Sequence, residues 1–155
     1  MKLNNLFKSL LLSLAFIACL VTAAHHEETG INYKEGQQAV MDAFGWDFDQ
    51  AEITTEKITD NIHVLFGLGG NILVSTGEDG VLLVDDQMPE LKYKILRALR
   101  KIGGRSVDYI INTHWHFDHA EGNLAFGPDG AKIVAHENSR HMMLNPKPIN
   151  LSFIV

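Results

Sequence analysis

Three short apolar runs, a helical stripe and further apolar runs follow one another from Ile62 onward, and that order confines the chain to one class of fold. Ile62-His63-Val64-Leu65-Phe66, Asn71-Ile72-Leu73-Val74-Ser75 and Val81-Leu82-Leu83-Val84-Asp85 have strand length and are rich in branched side chains. Gly77-Glu78-Asp79-Gly80 between the last two reads as a hairpin turn. Residues 53–58 alternate more weakly and add a candidate strand ahead of them. From Pro89 to Ile102 the period lengthens: Leu91, Ile95, Ala98 and Ile102 form one stripe, widened by Leu96 and Leu99. Pro89 and Glu90 suit the first turn of a helix, Arg97, Arg100 and Lys101 suit its last, and Gly103-Gly104 ends it. Those cations make a solvated face, not a binding patch. Residues 107–111 and 131–135 return to a strand pattern, and 136–141 open a short helix in which Met142 and Met143 read as core. The alternation describes an α/β domain. Strands this continuously apolar are expected to be buried on both faces.

Directly after the 107–111 run comes Asn112-Thr113-His114-Trp115-His116-Phe117-Asp118-His119. Three imidazoles and one carboxylate fall within six positions, in the spacing His-x-His-x-Asp-His. Imidazole nitrogen and carboxylate oxygen are the donors that zinc and similar divalent ions prefer. A strand end would deliver them: in extended backbone residues two apart share a face, so His114 and His116 can approach one ion. Asp118 and His119, beyond the bend, can reach a second. A single histidine after a strand is ordinarily a loop or core residue; four ligand-type side chains this close together are not explained that way.

Thr113-His114-Trp115-His116-Phe117-Asp118-His119, continued by Ala120-Glu121-Gly122-Asn123, resembles the motif of the metallo-β-lactamase superfamily. The resemblance covers roughly residues 53 to 145. It implies the first half of a four-layer αβ/βα sandwich with a one- or two-metal hydrolytic site. His114 and His116 would serve the first ion, Asp118 and His119 the second, and Asp118 would also orient the nucleophile as a catalytic group. Asp85, at the end of its strand, matches the family's aspartate that supports the ligands; a helix-entry cap is the other reading of Asp85 and Asp86. The implied cofactor is Zn2+, one or two ions, with iron possible. The substrate would be a small molecule carrying an ester, amide, lactam, thioester or phosphoester bond. An iron-dependent oxidoreductase of the same fold and a non-enzymatic exported metal-binding or interaction module are the alternatives. The family's remaining ligands lie beyond residue 155, and the chain stops in the apolar run Leu151-Ser152-Phe153-Ile154-Val155. A truncated domain, binding metal weakly by itself, is therefore expected.

The N-terminus carries a different signal. Lys2 and Lys8 frame a short positive region, residues 9–21 are almost wholly apolar, and Val21-Thr22-Ala23 supplies small side chains for cleavage. This is the pattern of a secretory signal peptide over residues 1–23, with export to the periplasm or medium as its consequence. The apolar run is too short for the ~20 residues of a spanning helix. Phe16-Ile17-Ala18-Cys19 also resembles an imperfect lipoprotein signal with Cys19 as a lipid anchor. Loss of Lys2 and Lys8 makes the formal charge of −6 more negative by two, which argues against nucleic acid as partner. Cys19, the single cysteine, leaves with the leader, so no disulfide framework and no thiolate ligand remain.

Residues 24–50 form an N-terminal extension to a partial domain spanning 51–155. His25 and His26 belong to a polar tail, 37–44 can form a short helix, and Trp46 and Phe48 can pack the extension onto the domain. Gly67-Leu68-Gly69-Gly70 feeds a strand and not a helix, so it reads as a turn and not a phosphate loop. His63 is placed in a strand as a structural residue. His136 and His141 are placed outside the ligand set. Trp115 and Phe117 either wall the pocket or pack into the core. Oligomeric state is not readable from the sequence.

Overall fold

The structure, a computed structural model, describes residues 33–145, with side chains from residue 38. The leader pattern, Cys19, His25, His26 and the run at 151–155 lie outside the described residues. The chain divides into two units, residues 1–39 and 40–155. Helix α1 (Tyr33–Phe44) begins four residues earlier than the expected start at residue 37. Among the described residues, no helix is long and apolar enough to cross a membrane.

Six strands form one sheet in sequence order: β1 (Thr54–Lys57), β2 (Ile62–Phe66), β3 (Ile72–Gly77), β4 (Gly80–Val84), β5 (Tyr109–Asn112) and β6 (Lys132–Ala135). The first four are antiparallel neighbours, and β3 and β4 close through the expected two-residue turn with Gly77 opposite Gly80. β5 and β6 then pair parallel. A parallel neighbour needs a crossover, and the amphipathic helix supplies it: a single 3-10 turn (Pro89–Leu91) leads into α2 (Lys92–Lys101). Pro89 has no N–H to complete a longer α-helical start, and its fixed φ suits a first turn. Two four-residue helices, α3 (Phe117–Ala120) and α4 (Asn123–Phe126), fill the β5–β6 connection, and α5 (Glu137–Leu144) follows β6. Neither α3 nor α4 is expected from the sequence, because four residues are too few to show a period.

Alternation decides which face is covered. Leu65, Ile72, Val74, Leu83 and Ile110 point to the helix side and are fully buried with Leu91, Ile95, Leu99, Met88 and Phe126. Burial of each such side chain stabilises the fold by about 1.5–3 kcal/mol. Ala98 joins this core, and the exposed Arg97, Arg100 and Lys101 form the expected solvated face. Trp46, Phe48 and Ile53 also pack against it. Lys94 fastens that segment: its ammonium donates to the carbonyls of Phe48, Asp49 and Ala51 at 2.7, 2.8 and 2.7 Å. Met142 and Met143 are only half-buried, and Ser139 is the buried residue of α5, which corrects the expectation of a methionine core there.

The opposite face departs from the expectation that both faces are buried. Val64, Leu73, Val84, Ile111 and Val134 stand in one register row across five strands. Leu73 is 38 % exposed, Ile111 39 % and Val134 54 %. Among the described residues, helices cover one side of this sheet only, and Leu73, Ile111 and Val134 of this row stay in contact with solvent. An exposed apolar row of this kind takes up hydrophobic dyes. The chain is expected to enhance ANS fluorescence at neutral pH, and the double substitution L73K/V134K to reduce that enhancement by more than about half. Unchanged dye binding with an unchanged far-UV CD spectrum would show that the row is covered in solution.

Candidate metal centre

All the sequence-derived site residues lie at the C-terminal ends of β4 and β5, where the backbone leaves the sheet. Asp85 follows β4 directly and adopts φ 63, a left-handed conformation that turns its carboxylate back toward the end of β5. Its N–H donates to Ile111 O at 2.9 Å. The carboxylate is 4 % exposed and accepts three hydrogen bonds. Thr113 donates its backbone N–H to Oδ1 at 2.7 Å and its hydroxyl to Oδ2 at 2.8 Å, and His119 Nδ1 lies 2.8 Å from Oδ2.

These contacts assign the tautomers. An ionised Asp85 can only accept, so His119 carries its proton on Nδ1 and presents the lone pair of Nε2. Thr113 spends its one hydroxyl proton on Asp85, and its oxygen lies 3.0 Å from His114 Nδ1, so His114 is likewise protonated at Nδ1. In both rings the free lone pair is therefore that of Nε2. His119 Nε2 lies 3.4 Å from Asp118 Oδ2, and the His114 ring is 4.2 Å from the His119 ring and 4.6 Å from the His116 ring, centroid to centroid. Burial, and then the neighbouring His119 and His116, hold the His114 pKa below its ordinary value despite the opposing carboxylates of Asp85 and Asp118. A neutral imidazole is the ligating form.

The grouping differs in one respect from the pairing read off the spacing. Among the described residues, the ligand atoms that lie within 4.8 Å of one another belong to Asp85, His114 and His119. His116 falls outside that trio, although its ring lies 4.6 Å from that of His114; it is exposed, with its ring edge-on to Trp115 at 4.7 Å. The reason is local: His114 and Trp115 already leave strand geometry, and His116 caps α3, its carbonyl accepting from His119 N and Ala120 N at 3.0 Å each. The two-residue alternation on which the His114/His116 pairing was built does not extend past Asn112. His63 is buried within β2, as expected of a structural residue. His136 and His141 are exposed on α5 and its cap, away from the cluster. Phe117 packs against the core, whereas Trp115 is half-buried beside His116.

Two contributions escape a reading of the sequence alone. The 67–70 loop is the expected turn between strands, and it is also the floor beneath Asp118 and His119. A Cβ at Gly69 would lie 2.6 Å from Asp118 Cβ, and one at Gly70 would lie 2.6 Å from His119 Nδ1. Only glycine lets the backbone come this close. Gly70 N also donates to Asp118 O at 3.2 Å. Asp86, beside Asp85, is wholly buried, and neither of its carboxylate oxygens has a hydrogen-bond partner. Burial, then the charge of Asp85, raise its pKa to about 8, offset only in part by the Asn112 side chain. Glu121, just past the motif, is raised by burial to about 7.

The sequence profile of the metallo-beta-lactamase superfamily matches residues 65–153, more than half of the chain. The chain belongs to the metallo-beta-lactamase superfamily. A hydroxyacylglutathione hydrolase of a Polaromonas species is 33% identical over 70 residues, which are 44% of this chain and 26% of that protein. The metallo-beta-lactamase BJP-1 of Bradyrhizobium japonicum, of subclass B3, superposes with a TM-score of 0.53 at 27% identity, over 59% of this chain and 36% of that one. MIM-1 from Novosphingobium pentaromativorans gives 0.54 at 26%, covering 61% and 36%. FIM-1 from Pseudomonas aeruginosa, in a mono-zinc form, shares the fold alone, with a TM-score of 0.54 at 19% identity over 64% and 49%. The chain thus spans about a quarter of the hydrolase and between a third and a half of the solved structures. The partial α/β sandwich expected from the sequence is the fold observed.

Proposed function

We propose that this chain carries the metal-binding half of an exported, zinc-dependent hydrolase of small molecules. The observation that carries the reading is the pair of fixed tautomers: Asp85 and Thr113 hold Nδ1 of His119 and His114, leaving the Nε2 lone pair of each free, that of His119 3.4 Å from Asp118 Oδ2. Imidazole nitrogens with a carboxylate oxygen, and no thiolate, are a donor set that fits zinc. In this reading His114 and His116 hold one ion and Asp118 and His119 the other. Asp85 supports them, because its lone pairs are already engaged by Thr113 and His119. A divalent ion there supplies Lewis-acid polarisation of the scissile group and a nucleophile at neutral pH.

The chain's own residues do the rest. The lowered pKa of His114 favours its neutral, ligating form, Asp85 keeps the His119 ring from turning, and Asp118 Oδ2 lies beside His119, where it can hold or pass a proton. The names of the relatives, a hydroxyacylglutathione hydrolase and metallo-beta-lactamases, support hydrolysis without choosing among ester, amide, lactam, thioester and phosphoester bonds. Export rests on the leader pattern of residues 1–23.

Elemental analysis of protein purified without added metal tests the cofactor: zinc in excess of iron is expected, and iron in excess would favour the oxidoreductase alternative. Calorimetric titration of Asp85→Asn tests the support. An asparagine can turn an N–H toward His119 and favour the wrong tautomer, so zinc affinity should fall ~10–100-fold. Wild-type affinity in that variant would remove Asp85 from the site.

A further inference from the structure

Gln87, two residues past Asp85, is a wholly buried polar side chain to which the metal-site reading gives no task. Its amide nitrogen donates to Gly70 O in the glycine loop. Its backbone carbonyl accepts from Gly122 N at 2.8 Å, in the segment that follows Asp118 and His119. Gly70 N in turn donates to Asp118 O, and the Gly70 backbone lies against the His119 ring. The loop closes tightly over the amide: a Cβ at Gly67 would lie 2.7 Å from Gln87 Oε1. One residue therefore bonds to both segments that enclose Asp118 and His119.

Gln87 also has φ 55, and Asp85 has φ 63. Left-handed backbone at a non-glycine residue is strained and persists only where its surroundings hold it. Two such residues flanking Asp86 mark a turn kept for what it places. Packing alone would be served as well by leucine or methionine, which fill a buried position without bringing a polar group to be satisfied. Neither could donate to Gly70 O.

We propose that Gln87 is a positioning residue whose amide latches the 67–70 loop onto Asp118 and His119 and thereby sets how tightly that half of the site holds a divalent ion. The inference rests on the metal reading above. Without the latch, Gly70 is free to lift from the imidazole, and the loop no longer restrains Asp118 through its carbonyl.

The test uses the 155-residue chain, the near-isosteric Gln87→Met variant, amide hydrogen exchange and zinc calorimetry. The Gly70 amide should exchange at least ~10-fold faster in the variant, while the Val74 and Leu83 amides in the sheet keep their wild-type rates. Zinc affinity should fall ~10–100-fold. A merely structural residue would speed exchange uniformly, and that outcome, like an unchanged Gly70 amide or unchanged zinc affinity, would overturn the proposal. Should Gln87→Met not fold, Gly70→Ala presses on His119 from the same loop with Gln87 intact; wild-type zinc affinity there would overturn it equally. Failure of the wild-type chain itself to bind zinc would remove the metal reading, and the latch with it, whereas binding that the variant leaves unchanged would remove the latch alone.

Discussion

Alanine at His114, His116 and His119 together is expected to abolish zinc binding by this chain, with a loss in affinity of more than ~100-fold, because removal of an outer support already costs 10–100-fold. The fold should survive. His116 is exposed, His114 and His119 are half-buried, and none of the three belongs to the core beneath the sheet. Asp85 loses His119 as a partner but keeps the Thr113 N–H and hydroxyl, so no buried charge is stranded. Calorimetry with zinc and far-UV CD of the same samples check both halves of the expectation. A triple variant that still binds zinc as tightly as wild type would place the metal elsewhere, and the proposed chemistry would go with it.

The second large effect concerns stability. Asp86 is buried without hydrogen-bond partners and titrates at about 8 in the folded chain, against 3.8 as its ordinary value. The sign follows from proton counting. Between those two values the folded chain keeps a proton that the unfolded chain has released, so stability falls as pH rises across that window. Asp86→Asn keeps the shape and removes the ionisation. Its stability relative to wild type should therefore be small near pH 4 and grow through neutrality, reaching on the order of 3–5 kcal/mol near pH 8. Urea unfolding at pH 5, 7 and 8 reads the difference directly, and contributions common to both proteins cancel. A difference that does not change with pH would mean that Asp86 is ionised and paired in solution. What the chain gains from so costly a residue is not explained by its contacts, apart from the backbone: Asp86 N donates to His119 O at 2.9 Å and anchors the motif.

Much of this is legible in the sequence. Apolar alternation placed β2, β3, β4 and the crossover helix within a residue or two, because each buries a long enough stripe for the period to show. The ligand cluster was legible because its spacing is dense and its residue types have no ordinary structural use together. The short helices α3 and α4 were not, since four residues carry no periodicity. Nor was Met142-Met143 as half-exposed surface, because side-chain type records affinity for a core and not whether one is there. His116 shows a limit of another kind: the strand ends at Asn112 and His116 caps a helix, yet its ring still lies 4.6 Å from that of His114, by a turn of the backbone and not by a shared strand face.

What the sequence by itself determined is the inventory: an α/β order of elements, an acidic chain with a single cysteine, and a His-x-His-x-Asp-His cluster of metal-ligand residue types. Local periodicity and residue chemistry suffice for these, since each is settled by neighbours in the chain. Only the tertiary structure decided the partnerships. Asp85 meets His119 across 34 positions, Gln87 reaches back 17 to Gly70, and the glycine turn becomes the floor under Asp118. Each depends on where the end of β4 falls beside the end of β5 and the loop ahead of β3, and sheet pairing, not sequence distance, sets that.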